Sequence, residues 1–348
     1  MQQTTTWGKP QRTALAAAVL VSLLGAAPMA QAGSSYTFNE NPLSGPSDLG
    51  YFNIANGINN SGVIVGNYAS TSNTNPGFVG NTSITYGVDG NGSRLVNVLG
   101  INSAGDIVGT YQGALGAGSI FYATPSAYSA TTPTLALGLD TNTHGNSVNG
   151  ETVGGITDTG LIVGTNILAN GAQYIYEYNI AGNTFTDLSL PISATILGGI
   201  KVTGVSSDGT YITGNYGAYG TDGYVYDTVT NVFTTISPTA GSSIFAEGVN
   251  KYGEVVGYTQ DKTTGDSAGF IFSAVTAGFV STQIIDTSYD VYTTFNGVND
   301  KGVIIGNNGY DYVIFTATPN ASAVPLPGAA WLMGSGLLLG LRLLKRKV

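Results

Sequence analysis

The sequence predicts an all-β protein, a six-bladed β-propeller closed by its own N-terminal strand. Three observations point there. A motif reading Gly57-Ile58-Asn59-Asn60-Ser61-Gly62-Val63-Ile64-Val65-Gly66 recurs from Gly100, Gly155, Gly204, Gly248 and Gly297. Successive copies start 43, 55, 49, 44 and 49 residues apart, the length of four short strands with their turns. Composition agrees: 51 glycines, 21 tyrosines and 9% charged residues, with no long helical periodicity between the two ends. Low charge with abundant glycine also suits disorder, but 42% hydrophobic content and regular β-branched triplets argue for a packed core.

Each copy reads as a strand end, a tight turn and a second strand. Asn59, and Asn102, Thr157, Ser206, Asn250 and Asn299 after it, can hydrogen-bond the backbone two residues on. Gly62 and its counterparts Gly105, Gly160, Gly209, Gly253 and Gly302 supply the positive φ of such a turn. The triplet that follows accepts Asp106 or Glu254 at its first position but keeps Ile or Val in the middle, so the middle side chain faces the core. The fourth copy carries one extra residue, Thr210-Tyr211-Ile212-Thr213, which predicts a bulge. The closing glycines, Gly66 to Gly306, read as positions of close packing.

Third strands are short and aromatic, from Gly77-Phe78-Val79 to Tyr312-Val313-Ile314-Phe315. Fourth strands are more polar: Ile84–Tyr86, Leu135–Leu137, Phe185–Leu188, Phe233–Ile236 and Gln283–Asp286. The sixth repeat lacks a fourth strand, because the chain reaches Pro319 soon after Phe315. Tyr36-Thr37-Phe38-Asn39 resembles Phe185–Leu188 and has no blade of its own, so it is expected to complete the last one. Closure removes the edges that the rival architecture, an open β-solenoid, would expose.

The two ends are different in kind. Lys9 and Arg12 precede an apolar run from Ala14 to Ala27, then Ala30-Gln31-Ala32 before Gly33. This is the order of a secretory signal peptide, residues 1–32, cleaved between Ala32 and Gly33; the run is short for a membrane anchor. Residues 33–320 would form the propeller, and 324–348 a Pro-containing break, an apolar run and the basic tail Arg342, Lys345, Arg346 and Lys347. Such a run is marginal for spanning a bilayer, with the tail left on the cytoplasmic side. A plain C-terminal anchor is the simpler alternative.

Residues 324–348 resemble the C-terminal sorting signal of the PEP-CTERM class in its Val-Pro-Leu-Pro variant, found in exopolysaccharide-producing Gram-negative bacteria. The resemblance implies that Val324, Pro325, Leu326 and Pro327 are recognised by an exosortase that removes the tail, after export and a transient stay in the inner membrane through a transmembrane helix. The chain departs from that pattern at Gly328, where the family's usual residue is Ala. Residues 50–315 are similar to extracellular repeat proteins with a Gly-Ile-Asn-x-x-Gly-x-Val-Val-Gly core, a likeness that carries no known chemistry.

Loss of both ends would leave five basic residues against twenty acidic ones between Glu40 and Asp311, a net charge of −15. Such a surface repels nucleic acid and anionic lipid, and favours solubility and cation binding; no nucleic-acid partner is expected. Cysteine is absent, so neither disulfides nor thiolate chemistry contribute, and His144 is the single histidine, in a long insert near Asp140 and Glu151. No zinc site can be assembled, and Gly87–Gly92 leads into strand-like Leu95–Val98 rather than a phosphate-binding helix. Calcium is the one conceivable ion, at Asp140–Asn146 or Asp222–Asp227, though neither has the ordered acidic spacing of a dedicated loop, and no cofactor is expected.

Both tryptophans, Trp7 and Trp331, lie in the end segments, so any sugar platform must use Tyr68, Tyr111, Tyr216 or Tyr258, which equally suit packing between blades. The expectation is a non-enzymatic exported protein of the cell surface or extracellular matrix, structural, adhesive or polysaccharide-associated. The alternative is a polysaccharide hydrolase or lyase using facing carboxylates, with Asp286 and Asp290, or Asp261 and Asp266, as close pairs.

Overall fold

A computed structural model of the chain describes residues 36–40, 52–69, 74–86, 94–112, 118–130, 132–137, 152–167, 173–188, 199–217, 222–238, 240–284, 292–309 and 313–320. Strand β1 (Tyr36–Glu40) stands before the first repeat. The first blade is β2 (Phe52–Ile58), β3 (Ile64–Ala69), β5 (Gly77–Val79) and β6 (Thr82–Ile84), with the short β4 (Thr74–Asn75) pairing parallel to the next blade. The second is β7 (Arg94–Ile101), β8 (Ile107–Gln112), β9 (Gly118–Ala123) and β10 (Leu135–Leu137); the third β11 (Thr152–Ile156), β12 (Leu161–Ile167), β13 (Gln173–Asn179) and β14 (Thr184–Leu188). The fourth is β15 (Ile200–Val205), β16 (Tyr211–Tyr216), β17 (Asp222–Asp227) and β18 (Val232–Ile236); the fifth β19 (Ser242–Val249), β20 (Glu254–Asp261), β21 (Ser267–Ser273) and β22 (Gly278–Ile284). The sixth is β23 (Thr293–Val298), β24 (Ile304–Asn308) and β25 (Val313–Pro319), completed by β1.

This is a six-bladed propeller, closed where expected. Strand β1 lies antiparallel on β25 from Tyr36 opposite Pro319 to Glu40 opposite Phe315, and the Phe38 ring sits 5.2 Å from that of Phe315. The first strands of neighbouring blades pack side by side around the axis, β23 against β2 included. Apolar wedges fill the spaces between blades: Val65 and Val79 meet Val96 and Phe121, and Ile305 and Ile314 meet Ala55, Tyr68 and Phe78. Among the described residues no helix is long and apolar enough to cross a membrane. Both end segments, with Ala30, Ala32, Gly33, Val324–Pro327 and the basic tail, lie outside the described residues.

The motif turn does more than its own hairpin requires. Asn59 Oδ1 accepts the backbone N–H of Ser61 and of Val63, both at 3.0 Å, while Gly62 turns at φ +83°. Its Nδ2 then donates to the carbonyl of Asn102 in the next blade, at 3.0 Å. Asn102 reaches Thr157 O, Asn250 reaches Asn299 O, and Asn299 reaches Asn59 O in the same way. One buried amide thus fixes a turn and clasps two blades. Thr157 and Ser206 have no such amide, and their hydroxyls serve only their own turns, accepting from Leu161 N and Tyr211 N.

Two details differ from the sequence reading. The extra residue of the fourth copy makes no bulge in β16, which pairs regularly with β17; the turn absorbs it, with the Asp208 carboxylate accepting from Ser206 Oγ, Thr210 N and Thr210 Oγ1. The outer strand of the fifth blade is Gly278–Ile284 rather than Gln283–Asp286. Its hairpin turns at Ala277 with φ +49°, where the third and fourth blades use Asn183 and Asn231, so the usual turn residue is missing from the sequence. Phe279 therefore fills the place of Phe185 and Phe233.

The closing glycines are packing positions, as read: a Cβ on Gly257 would stand 1.9 Å from the Phe245 carbonyl oxygen and 2.8 Å from the outer edge of the Phe270 ring. The first motif glycine is close-packed in another direction. A Cβ on Gly248 would stand 2.8 Å from the Cα of Gly297 in the next blade.

We expect Asn299→Ala to cost about 2–4 kcal/mol in urea unfolding, because it leaves the N–H groups of Lys301 and Val303 without their acceptor and removes the bond to the Asn59 carbonyl, which keeps only that from Gly62 N. Ser206→Ala, which removes only a local cap, should cost about half as much. Gly248→Ala should destabilise by about 1–3 kcal/mol through forced separation of two backbones.

Candidate functional site: the axial funnel

Every inner strand slips register just before its motif glycine: between Ala55 and Gly57, Val98 and Gly100, Val153 and Gly155, Val202 and Gly204, Ala246 and Gly248, and Phe295 and Gly297. A bulge re-aims its extra residue. Here the six extra residues, Asn56, Leu99, Gly154, Thr203, Glu247 and Asn296, form a ring about the central axis. The glycine that follows is the same in all six copies, whereas the bulged position holds five residue types, with Asn in the first and sixth blades.

The channel is narrow at its waist and plugged at the turn end. There Asp300 accepts from Asn60 Nδ2 at 2.7 Å and, across the axis, from Ser207 Oγ at 2.8 Å, while Lys251 Nζ stands 3.8 Å away. Asp158 is held by the backbone and hydroxyl of Ser103 at 2.8 and 2.9 Å. Only about 50 Å³ remains inside this network, and its carboxylates are already satisfied by donors. The opposite end opens into a funnel of about 430 Å³.

Several funnel residues are committed to holding blades together. Asn56 Nδ2 donates to Val98 O at 2.9 Å, Asn296 Nδ2 to Ala55 O at 2.8 Å, and Thr203 Oγ1 to Ala246 O at 2.6 Å. Tyr176 and Tyr224 brace the wall from behind, donating to the carbonyls of Thr152 and Lys201. The charged groups on the funnel wall are Glu247 and Lys201, with the Tyr258 ring beside them, while Thr152 Oγ1 is buried behind the wall. Tyr258 stacks on Phe245 at 4.8 Å between centroids and so presents a fixed aromatic surface.

Glu247 is the chemically distinctive group. Its place deep in the funnel pushes the carboxyl up from an ordinary 4.5 to about 7, against the opposing pull of the Lys201 ammonium. Sequence reading missed both residues. The available signal was positional: Glu247 immediately precedes Gly248, in the column that holds Asn56, Leu99, Gly154, Thr203 and Asn296 in the other copies.

The residues singled out from sequence are dispersed. Tyr68 and Tyr216 are packed in the core at 2% and 8% exposure, Tyr111 lies edge-on to Phe121, and only Tyr258 borders the funnel. Asp261 caps a hairpin by accepting from Thr263 N and Thr264 N, which hold its carboxyl below the usual range, and so faces no partner across a cleft. Asp222–Asp227, considered for calcium, is strand β17. Among the described residues no three metal-ligating side chains come together. His144, Asp140–Asn146, Asp286 and Asp290 lie outside the described residues.

No family model matches this chain. No curated protein matches it either. Solved structures similar to it include a gluconolactonase from Xanthomonas campestris, 10% identical, with a TM-score of 0.48 over 83% of this chain and 91% of that one. A TolB-type protein from Agrobacterium tumefaciens is 14% identical, with a TM-score of 0.47 over 66% of this chain and 80% of that one. A luciferin-regenerating enzyme is 12% identical, with a TM-score of 0.44 over 82% and 96%. The propeller itself is evident in the strand pairing.

Because Glu247 holds its proton more tightly folded than unfolded, its contribution to stability is complete below about pH 4.5 and declines as pH rises to about 7. Urea midpoints of the wild type should fall across that window. Glu247→Gln should flatten this part of the profile; an unchanged slope would place the titration elsewhere.

Proposed function

We propose that this is an exported, non-catalytic propeller, sorted through its C-terminal segment to the cell surface or the extracellular polysaccharide layer, where it binds polymer without cleaving it. The single observation that carries the choice of binding over hydrolysis is the funnel's acid content. Among the described residues lining it, Glu247 is the one carboxylate. Glycoside hydrolysis ordinarily uses a pair, one to protonate the leaving oxygen and one to attack or to activate water. Asn, Thr, Lys and Tyr instead offer donors, acceptors and an aromatic surface, the equipment of recognition.

Export and sorting rest on the two end segments and on their resemblance to an exosortase substrate. The intact mass of protein from the culture medium and from the membrane fraction tests this part. The external form should begin near Gly33 and end close to Pro327, without either tryptophan. Recovery only in membranes with Arg342–Lys347 still attached would mean an ordinary anchor. For the binding part, incubation with the host's own exopolysaccharide should retain polymer on immobilised protein with no new reducing ends; release of fragments would overturn it.

A further inference from the structure

We propose that the axial funnel is a binding site for an acidic sugar, a polyhydroxylated ring bearing a carboxylate, as at the end or branch of an anionic polysaccharide. The inference rests on the binding reading above and names its ligand. Five basic residues lie between the two end segments, Arg94, Lys201, Lys251, Lys262 and Lys301, and among the described lining residues Lys201 alone stands in the funnel. Lys251, at the plugged end, stands against the Asp300 carboxylate, so Lys201 marks the place at the open end of the channel where an anion is favoured. Beside it, Glu247 makes no hydrogen bond to the described residues and, when protonated, donates one to a carboxylate held by Lys201. Tyr258 supplies a rigid face for the C–H side of a sugar ring, and the bulge ring supplies polar edges. A volume of about 430 Å³ admits one or two sugar units.

The site predicts its own pH response. A bound carboxylate repels ionised Glu247, so binding takes up a proton and weakens as Glu247 ionises. From the strands packed around it, β15 brings Lys201 and β20 brings Tyr258, β16 and β23 bring the non-titrating Asn215 and Asn296, and β17 meets β19 through Gly223 and Val225.

Calorimetric titration of the exported form with glucuronic acid and with a diuronide, beside glucose and cellobiose, tests the inference. The acidic sugars should bind, and affinity should drop by up to about tenfold per pH unit above about pH 7. Lys201→Gln should weaken acidic sugars about tenfold or more and leave the neutral ones unchanged. Glu247→Gln, which keeps a donor, should bind with no pH dependence. Circular dichroism and urea melts confirm that both variants fold, and proton uptake by the wild type, read from buffers of different ionisation enthalpy, tests the linkage without any substitution. Binding of neutral sugars alone, or of acidic sugars with no loss in Lys201→Gln, overturns the acidic-sugar assignment and leaves the binding reading standing. Absence of binding to every sugar overturns the acidic-sugar assignment, and retention of exopolysaccharide on the immobilised protein then decides the binding reading.

Discussion

The buried amide of the motif asparagine is the interaction on which this ring depends, because it joins two levels of structure with one side chain. Its oxygen satisfies two backbone N–H groups of its own turn, and its nitrogen satisfies a carbonyl of the next blade. A propeller blade is stable only against its neighbours, so a contact that forms with the turn and completes with the docking of the next blade couples local order to closure. Where Thr157 and Ser206 replace the amide, other groups take over the seam. Val202 N donates to Thr165 Oγ1 at 2.8 Å between the third and fourth blades, and Asn215 exchanges bonds with both backbone groups of Ala246 between the fourth and fifth. No seam is left to apolar packing alone.

Bare backbone is the second constraint, and it explains the glycine content. First motif glycines let six strands converge on the axis, and closing glycines leave room for the outer edges of the third-strand Phe and Tyr rings. Convergence of that kind leaves little room at the waist, so an accessible space must lie at one end. Hydrogen bonds of Asp300 and Asp158 fill the turn end, and the bulges open the other. Equivalent positions in six blades there carry five different residue types, a variety that a perfectly repeated sequence could not provide.

Much of the architecture was legible in the residues themselves. The motif spacing, the buried middle residue of each triplet and the spare strand around Phe38 fix blade number and closure without reference to coordinates. Boundaries failed where the turn lacked its usual residue, at Ala277, and where a one-residue insertion could sit in either strand or turn, at Thr210. The funnel was not legible for a different reason. Whether Glu247 faces the axis or a neighbouring blade depends on a bulge, and period-two alternation gives the opposite orientation once a residue is inserted. Lys201 and Glu247 also come from different blades, so only closure of the ring brings them together.

Amide hydrogen exchange, followed peptide by peptide in native buffer, tests the closed and clasped ring most directly. A ring that opens only by global unfolding requires the amides of β1 to be protected to the same free energy as those of the inner strands β2, β7, β11, β15, β19 and β23. Exchange of Tyr36–Glu40 orders of magnitude faster than the inner strands, as for a loose terminus, would contradict it: the array would then be held by neighbouring packing alone, without closure by the N-terminal strand.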